Sequence, residues 1–269
     1  KKTSFVRFYG EMSRAFLRPL PGLLGGAGAA SYFLHHWAGS HNEFQTKQFP
    51  GNSWAWNWDN RQNSHGKGTR TLIFVRHGQY VHAKTDLGKV LTPLGREQAR
   101  ITGRRLNEIY GSNSIIPGNK IDNIIYSTMT RATETSNIIR EELPTGIPAD
   151  PSESIREGAV YPPVPIHPTW RPSAEEFEED GERIEGCFKE NVHRAGVGEE
   201  QNTTTLFVCH GNVIRYFFMR ALQLPPSAWL RLSVANGSIT TMSINSEGRV
   251  NVSDLGNSGH FPPEKVTYN

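Results

Sequence analysis

Two apolar runs that each end in a His-Gly pair constrain the fold of this chain more than any other feature. Residues 72–75 lead into the first pair, and residues 206–209 lead into the second. Runs of this composition predict strands that are buried on both faces, as in a parallel sheet covered by helices. Sheets of that kind build their sites at the carboxyl ends of the strands. The sequence therefore predicts that two imidazoles, distant along the chain, lie side by side.

The residues at these two strand ends are suited to binding an anion. They are Arg76, His77, Gly78, His210 and Gly211. A guanidinium and a titratable imidazole can bind an oxyanion, and a glycine lets the backbone approach a ligand closely. One Arg-His-Gly tripeptide is weak evidence for a site, and its partial repetition on a second strand strengthens that evidence.

Two further segments predict helices that begin near the same edge of the sheet. Thr92, followed by proline, is typical of an N-cap, and the helix is expected to run to about Tyr110. Residues 121–126 predict another strand, after which Thr130 is expected to cap a helix with Arg131 in its first turn. A cation in a first helical turn opposes the helix dipole, so its position indicates a role in binding an anion.

The alternation of strands and helices predicts an α/β fold, namely a three-layer α/β/α sandwich with a mainly parallel central sheet. Late strands are expected over residues 230–234, 238–244 and 249–254. With 269 residues, the chain is long enough for one large domain and appendages. That domain, including a C-terminal tail, is expected to span residues 69–269.

Composition excludes several classes of protein. The formal net charge of +3 is small and no dense run of Lys or Arg occurs, so no nucleic-acid partner is expected. Two cysteines, Cys187 and Cys209, provide neither a disulfide framework nor a four-ligand zinc set. The histidines lack the spacing of a metal-binding pair, and two arginines in one site repel a dication. No metal and no cofactor are therefore expected.

Residues 1–38 are expected to form a basic leader and a transmembrane anchor. Residues 1–18 combine Lys and Arg with aromatic side chains and a single acidic residue, which is typical of mitochondrial targeting segments. Residues 20–37 are uncharged and have about the minimum length for a membrane span. Basic residues precede this stretch, as the positive-inside rule requires. A cleaved leader and a plain flexible segment are the alternatives.

A polar linker is expected over residues 39–68, and it contains three tryptophans within a short stretch. Trp54, Trp56 and Trp58 would expose a large apolar area in a flexible linker, and such an area usually marks an interaction site. We interpret this stretch as a segment that docks onto a neighbouring subunit. The alternative is that the tryptophans fold back onto the surface of their own domain.

Five side chains at or near the predicted strand ends have the chemistry that phosphoryl transfer needs. They are Arg76, His77, Arg131, Glu157 and His210. The two guanidiniums can bind phosphoryl oxygens, and a neutral His77 nitrogen can attack phosphorus in line to give a phosphohistidine. Glu157 could protonate the leaving oxygen and later deprotonate water. His210, if cationic, would stabilise the charge on the equatorial oxygens.

The order of these motifs resembles the histidine phosphatase superfamily, also called the phosphoglycerate mutase-like family. The likeness covers about residues 69–255, and its motifs are Arg76-His77-Gly78, Thr92-Pro93-Leu94-Gly95, Ser127 to Ala132, Glu157-Gly158 and His210-Gly211-Asn212. It implies a phosphoglycerate mutase-like fold in which His77 is the nucleophile. It also implies a substrate site, formed by Arg76, Gly78, Arg131, His210 and Gly211.

Within the superfamily, the chain resembles the membrane-anchored mitochondrial phosphatases that act on phosphoserine and phosphothreonine in proteins. Those proteins carry a Trp-Asp-Pro-Asn-Trp-Asp segment that promotes assembly and activity. Its counterparts in this chain are Trp54, Asn57, Trp58 and Asp59, whereas Ala55 and Trp56 depart from the pattern. The resemblance implies a metal-independent phosphoprotein phosphatase, held in a mitochondrial membrane by its anchor. It also implies a homo-oligomer, a dimer or larger, formed through the Trp-rich segment.

Two alternative functions stay open. A small-molecule phosphatase or phosphoglycerate mutase-type enzyme of the same fold would need a closed pocket, whereas the proline-rich loop at residues 161–172 suits an open rim that grips a peptide. A catalytically inactive mitochondrial scaffold is the alternative from another class. The presence of all five candidate catalytic residues argues against it.

Overall fold

The computed structural model describes residues 54–112, 114–116 and 118–268. Strands and helices alternate along this part of the chain until a final pair of strands. In chain order they are β1 (Arg70–Arg76), α1 (Pro93–Tyr110), β2 (Asn123–Ser127), α2 (Thr130–Glu142), β3 (Ala149–Ser152), α3 (Ala174–Asn191), β4 (Thr203–Cys209), α4 (Gly211–Ala221), β5 (Ile239–Ile244) and β6 (Val250–Asn257).

The six strands form one sheet in the order β3-β2-β4-β1-β5-β6. β3, β2, β4 and β1 are parallel to one another, and β5 and β6 add an antiparallel edge. In the register of β1 against β4, Arg76 lies opposite Cys209, so the two His-Gly pairs follow at the same edge. The expectation of a mainly parallel α/β sheet is confirmed.

Successive side chains of β1 point into two different cores, which shows that helices cover both faces of the sheet. Phe74 stacks on Phe207 at 4.8 Å between ring centroids and meets the edge of Phe217 from α4 at 5.8 Å. Ile73 points to the opposite face and packs in the core that includes Leu106 of α1. These alternating apolar residues are buried on both faces, as expected for a covered parallel sheet. The three-layer arrangement is therefore confirmed.

The two predicted helix starts have different outcomes. Thr92 caps α1 through a 3.0 Å hydrogen bond that its hydroxyl accepts from the Gly95 amide, and α1 ends at Tyr110 as expected. Thr130 is the first helical residue of α2 rather than its cap. The carboxylate of Asp86, from the loop after β1, accepts hydrogen bonds from the Thr130 amide at 3.0 Å and its hydroxyl at 3.1 Å. A distant residue thus satisfies a helix end for which the sequence suggested a local cap.

One other expectation about secondary structure is wrong, and one strand has no counterpart among the predicted elements. Residues 230–234 do not form a strand, because a 3₁₀ turn, Pro226–Arg231, includes the first two of them and buries Trp229 completely. The indole Nε1 of Trp229 donates a 2.8 Å hydrogen bond to the Tyr161 carbonyl, which fixes this turn against the proline-rich loop. Strand β3 was not predicted, since it is short and contains Pro151, a residue that only an edge strand tolerates.

Residues 54–68, expected to belong to a linker, pack against the domain. The Trp58 indole donates a 2.8 Å hydrogen bond to the Gly248 carbonyl, and its ring lies 6.2 Å from that of Phe188. Asp59 pairs with Arg194 at 2.8 Å, and both side chains are only 1% exposed. Burial alone would raise the pKa of Asp59, but hydrogen bonds from Arg194 lower it. For Trp58 and Asp59 the structure therefore shows the alternative interpretation, namely contact with their own domain.

The remaining residues of the Trp-rich segment are less buried. Asn57 organises a local turn, since its side-chain oxygen accepts a 3.0 Å hydrogen bond from the Gln62 amide. Trp54 is half-buried, and the Trp56 side chain is 43% exposed. Trp56 is thus the tryptophan of this segment that is available for contact with another molecule.

The leader and anchor expected over residues 1–38 lie outside the described residues. Within the described ranges, no helix has both the length and the apolar composition that a bilayer crossing requires.

Candidate active site

His77 follows β1 directly and is 2% exposed. Its backbone amide donates a 2.9 Å hydrogen bond to the Cys209 carbonyl, which ties the two strand ends together. The ring nitrogen Nδ1 lies 2.8 Å from the carbonyl oxygen of Gly78. Because a carbonyl can only accept, Nδ1 carries the proton and Nε2 keeps its lone pair. Arg131 Nε donates to that Nε2 at 3.1 Å.

The surroundings of His77 keep its imidazole neutral. Burial, followed by the positive charges of Arg131 and Arg76, lowers the pKa of His77 well below its ordinary value of 6.5. A neutral imidazole with a fixed tautomer and an available Nε2 lone pair is a nucleophile at physiological pH.

His210, the N-cap residue of α4, provides the second imidazole, and the centroids of the two histidine rings are 5.2 Å apart. The Ser127 hydroxyl accepts a 3.3 Å hydrogen bond from the Met129 amide and can donate its proton to His210 Nε2, which is 2.8 Å away. That assignment leaves the proton of His210 on Nδ1, which has no hydrogen-bond partner among the described residues. Nδ1 is then a buried donor for an incoming anion.

His210 is neutral in the free enzyme, whereas the sequence alone allows a cationic imidazole. Burial, then His77, Arg131 and Arg76, lower the pKa of His210 well below 6.5. The free enzyme therefore holds a neutral His210, because the residue is buried and two guanidiniums already occupy its surroundings. In this state the residue contributes a hydrogen bond to a phosphoryl oxygen rather than a full positive charge.

Arg76, the last residue of β1, is 8% exposed. Its Nη1 donates to the carbonyl of Val234 at 2.7 Å and to that of Tyr268 at 3.4 Å. Burial lowers the pKa of Arg76 to about 10, with Glu157 acting in the opposite direction, so the guanidinium stays cationic at neutral pH. A Cβ at Gly211 would lie 3.4 Å from Arg76 Nε. The first residue of α4 therefore packs against this guanidinium.

Arg131 lies in the first turn of α2, as expected, and is 4% exposed. Its guanidinium carbon lies 4.8 Å from the ring centroid of Tyr80, and Nη1 lies 3.4 Å from a carboxylate oxygen of Asp86. Asp86 therefore fixes both Arg131 and the start of the helix that carries it. The cation in the first helical turn is balanced by this carboxylate in the free enzyme.

Glu157 follows β3 in the chain, and its side chain is half-buried. Burial raises the pKa of its carboxyl group above the ordinary value, while Arg131 and Arg76 act in the opposite direction. A carboxyl group with a raised pKa retains its proton over a wider pH range. It can therefore serve as a general acid towards a leaving oxygen and, once deprotonated, as a general base.

Gly78 has a different role from the one expected. Its amide donates a 3.0 Å hydrogen bond to the Thr135 hydroxyl and is therefore already engaged. A Cβ at Gly78 would lie 2.4 Å from the Gly95 carbonyl oxygen, so the close approach of the loop to α1 requires glycine. Gly78 contributes to the site through its carbonyl, which fixes the His77 tautomer, whereas direct substrate binding by Gly78 stays a prediction.

The structure brings Arg76, Arg131, Glu157 and His210 around His77, and it adds residues that the sequence did not single out. These are Asp86, Ser127, Asp180, Arg183 and Arg215, which contact or lie near the five catalytic candidates. Ser127 lies within a stretch that carried the family resemblance. Asp86 begins a short 3₁₀ turn, Asp86–Gly88, in the loop after β1, and only the folded chain shows its contact with Arg131.

Comparison with known proteins agrees with this geometry. Residues 72–160 and 164–255 match the family model for the histidine phosphatase superfamily, branch 1. The chain is 42% identical over 263 residues to the mitochondrial serine/threonine-protein phosphatase Pgam5 of Caenorhabditis elegans, a match that covers 89% of this chain and 88% of the relative. It is 45% identical to the human protein of that name, over 75% of this chain and 67% of the relative.

A solved phosphoglycerate mutase from Plasmodium falciparum is 31% identical and has a TM-score of 0.50, with 75% of this chain and 99% of that chain covered. The matched regions include His77 and the four residues that converge around it. The chain therefore belongs to the histidine phosphatase superfamily, branch 1, and within it to the Pgam5 family of mitochondrial serine/threonine-protein phosphatases.

Proposed function

We propose that this enzyme is a metal-independent protein serine/threonine phosphatase that acts through a phosphohistidine at His77. The main support is the fixed tautomer of His77. Nδ1–H is bonded to the Gly78 carbonyl, and Nε2 lies 3.1 Å from Arg131 Nε with its lone pair available. A buried, neutral nitrogen between guanidiniums is suited to attack a phosphoryl group that those guanidiniums bind.

The first half of the reaction transfers the phosphoryl group to His77. Arg131 moves its hydrogen bond from His77 Nε2 to a phosphoryl oxygen, and Arg76 and His210 Nδ1–H bind the others. Nε2 attacks phosphorus in line as the bond from phosphorus to the serine or threonine oxygen breaks. Glu157 gives its proton to the departing oxygen, so the peptide leaves as a neutral alcohol.

The second half of the reaction hydrolyses the phosphohistidine. Glu157, now a carboxylate, takes a proton from water as the water oxygen attacks phosphorus. The nitrogen–phosphorus bond breaks, inorganic phosphate leaves, and His77 returns to its neutral form. Glu157 is protonated again, so both groups are ready for another cycle.

The curated relatives are named as phosphatases of serine and threonine in proteins, and the proline-rich loop that follows Glu157 in the chain supports the same substrate class. Val164 and Ile166, in the proline-rich loop, are 55% and 62% exposed. Trp170 of that loop packs on Trp229 at 5.7 Å between centroids, so it holds the loop to the domain rather than gripping a partner. The exposed aliphatic residues are the better candidates for contact with a peptide.

A substrate panel in the presence of a chelator tests this function. We expect phosphoserine and phosphothreonine peptides to be hydrolysed without added metal, with kcat/KM at least about tenfold above that for phosphoglycerates, because extra contacts of the peptide stabilise its transition state. Faster turnover of phosphoglycerates, or their interconversion, would favour the mutase-type alternative. A strict need for metal would contradict the mechanism.

We also propose that the Trp-rich segment, residues 54–59, contributes to a homo-oligomer. Trp58 and Asp59 fix the segment to its own domain, and Trp56 is 43% exposed on it. A large apolar side chain held rigidly at the surface loses little conformational entropy when a second copy of the chain covers it.

The relatives' names include a mitochondrial location, which agrees with the basic, aromatic composition of residues 1–18. The membrane anchor expected over residues 20–37 stays a prediction.

A further inference from the structure

The loop that carries Glu157 is held by one arginine of α3. Arg183 Nη1 donates to the carbonyls of Ser154 and Arg156, both at 2.9 Å, and Nη2 donates to the Glu157 carbonyl at 3.3 Å. Three carbonyls of one irregular loop thus converge on a single guanidinium. Backbone groups in a loop need such partners, because no strand or helix satisfies them.

Asp180, one helical turn before Arg183, completes this arrangement. Its Oδ1 accepts a 2.6 Å hydrogen bond from Arg183 Nη2, and its Oδ2 accepts a 2.8 Å hydrogen bond from the Ala159 amide. A Cβ at Gly158 would lie 2.4 Å from Asp180 Cγ, so the carboxylate occupies the space of a side chain there. The pair, which we call the α3 clamp, holds the backbone on both sides of Glu157.

The Glu157 carboxylate has contacts of its own besides those of its backbone. Its Oε1 lies 3.4 Å from the Gly158 amide, which is a long contact, and the Asn212 backbone also hydrogen-bonds to the carboxylate. The positive charges of Arg131, Arg76 and Arg215 attract it as well. The position of the carboxyl group therefore depends on where the α3 clamp places the loop.

The other catalytic groups are placed by other elements, since His77 and Arg76 follow β1, Arg131 is carried by α2 and His210 caps α4. The charge of Arg183 reaches His210 only as a minor contribution to its lowered pKa, after burial and the charges of His77, Arg131 and Arg76.

We propose that Arg183 and Asp180 are positioning residues that place Glu157 for proton transfer to the leaving oxygen of the substrate. The inference rests on the proposed role of Glu157 as general acid. Loss of the α3 clamp should impair the departure of a poor leaving group while His77 retains its ability to attack. Proton transfer requires heavy atoms about 2.6–3.2 Å apart, so a small displacement of the loop removes most of its benefit.

Two substrates that differ in leaving group separate these steps. A phosphoserine peptide releases an alkoxide that needs a proton, whereas p-nitrophenyl phosphate releases a stable phenolate that needs none. The quantity to compare is kcat/KM, because it covers the steps up to phosphorus–oxygen cleavage and excludes hydrolysis of the phosphohistidine. Arg183→Met should lower kcat/KM about tenfold to a hundredfold for the peptide and within about threefold for p-nitrophenyl phosphate.

Three further variants make the result specific. Asp180→Asn, which preserves the side-chain volume, should show the same selective loss and serves if Arg183→Met does not fold. Lys189→Met removes a charge from an exposed position of the same helix, 70% exposed, and should affect neither substrate. Glu157→Gln should show the largest selective loss, since it removes the acid itself.

Thermal unfolding of each variant accompanies the kinetics. An equal loss for both substrates in Arg183→Met and Asp180→Asn, or no loss, would overturn the role of the α3 clamp. If Glu157→Gln still showed its selective loss, the proposed function would survive that result. If Glu157→Gln showed no selective loss, the general acid itself would be misassigned, and both proposals would fail.

Discussion

At the scale of single residues, burial assigns the chemical roles in this site. It lowers the pKa of His77 well below the ordinary value and raises that of Glu157 above it. The imidazole is therefore available as a neutral base or nucleophile, and the carboxyl group is available as an acid. Two titratable groups whose pKa values are displaced in opposite directions are the usual basis of an acid–base pair.

The pH profile of kcat/KM tests these assignments, because it reports the ionisation of groups in the free enzyme. For a phosphoserine peptide we expect a basic limb that falls about tenfold per pH unit as Glu157 loses its proton. For p-nitrophenyl phosphate that limb should be absent. On the acid side, protonation of His77 should inactivate the enzyme only well below pH 6.5, because its pKa is lowered.

The matched control for this profile is Glu157→Gln, which cannot ionise and should lose the basic limb with the peptide. A basic limb of the same position with both substrates, or one that survives in Glu157→Gln, would assign the ionisation to another group.

The sequence predicts those site residues that lie within local motifs, and it misses those that reach the site from elsewhere. His77, His210 and Arg131 follow apolar strands, so their convergence could be predicted from the pattern alone. Asp86 and Ser127 could not be predicted as their partners, because those contacts depend on the arrangement of neighbouring loops. Nor does the sequence alone show that the Gly78 amide is engaged by a threonine of α2.

At the scale of elements, the accuracy of prediction depends on whether the signal is local. The start of α1 is predicted correctly, since Thr92 caps it within one turn. The cap of α2 is predicted one residue too late, at Thr130 instead of Met129. The reason is that Asp86, which accepts hydrogen bonds from the start of the helix, lies in another loop. β3 and the turn Pro226–Arg231 contain prolines, whose effect depends on the edge or surface that they meet.

The Trp-rich segment provides a prediction at this scale, in which two tryptophans serve as controls for each other. Trp58→Ala should lower the free energy of unfolding by about 2 kcal/mol, because it removes packing near Phe188 and the hydrogen bond to Gly248. Trp56→Ala removes an exposed side chain and should lower the mass of the oligomer instead. Urea unfolding and light scattering at matched protein concentration measure the two effects.

An unchanged mass for Trp56→Ala, with the parent protein oligomeric, would remove Trp56 from the subunit contact. An unchanged unfolding free energy for Trp58→Ala would contradict its role in fixing the segment to the domain.

At the scale of the whole molecule, the order of the strands assembles the site. β4 lies between β2 and β1, so the ends of these three strands are neighbours although the chain visits them far apart. His77 follows β1, Ser127 ends β2 and His210 follows β4. The C-terminal tail also returns to this region, where the Tyr268 carbonyl contacts Arg76. The sequence predicts the class of sheet, whereas the order of its strands depends on how the helices pack across both faces.

The central claim is that His77 Nε2 becomes phosphorylated during turnover, and rapid quenching with a radiolabelled phosphoserine peptide tests it most directly. We predict label on the protein that is stable in alkali, is released by acid, maps to His77 and is absent from His77→Ala. No protein-bound label on any timescale of turnover, or label that persists in His77→Ala, would contradict the account.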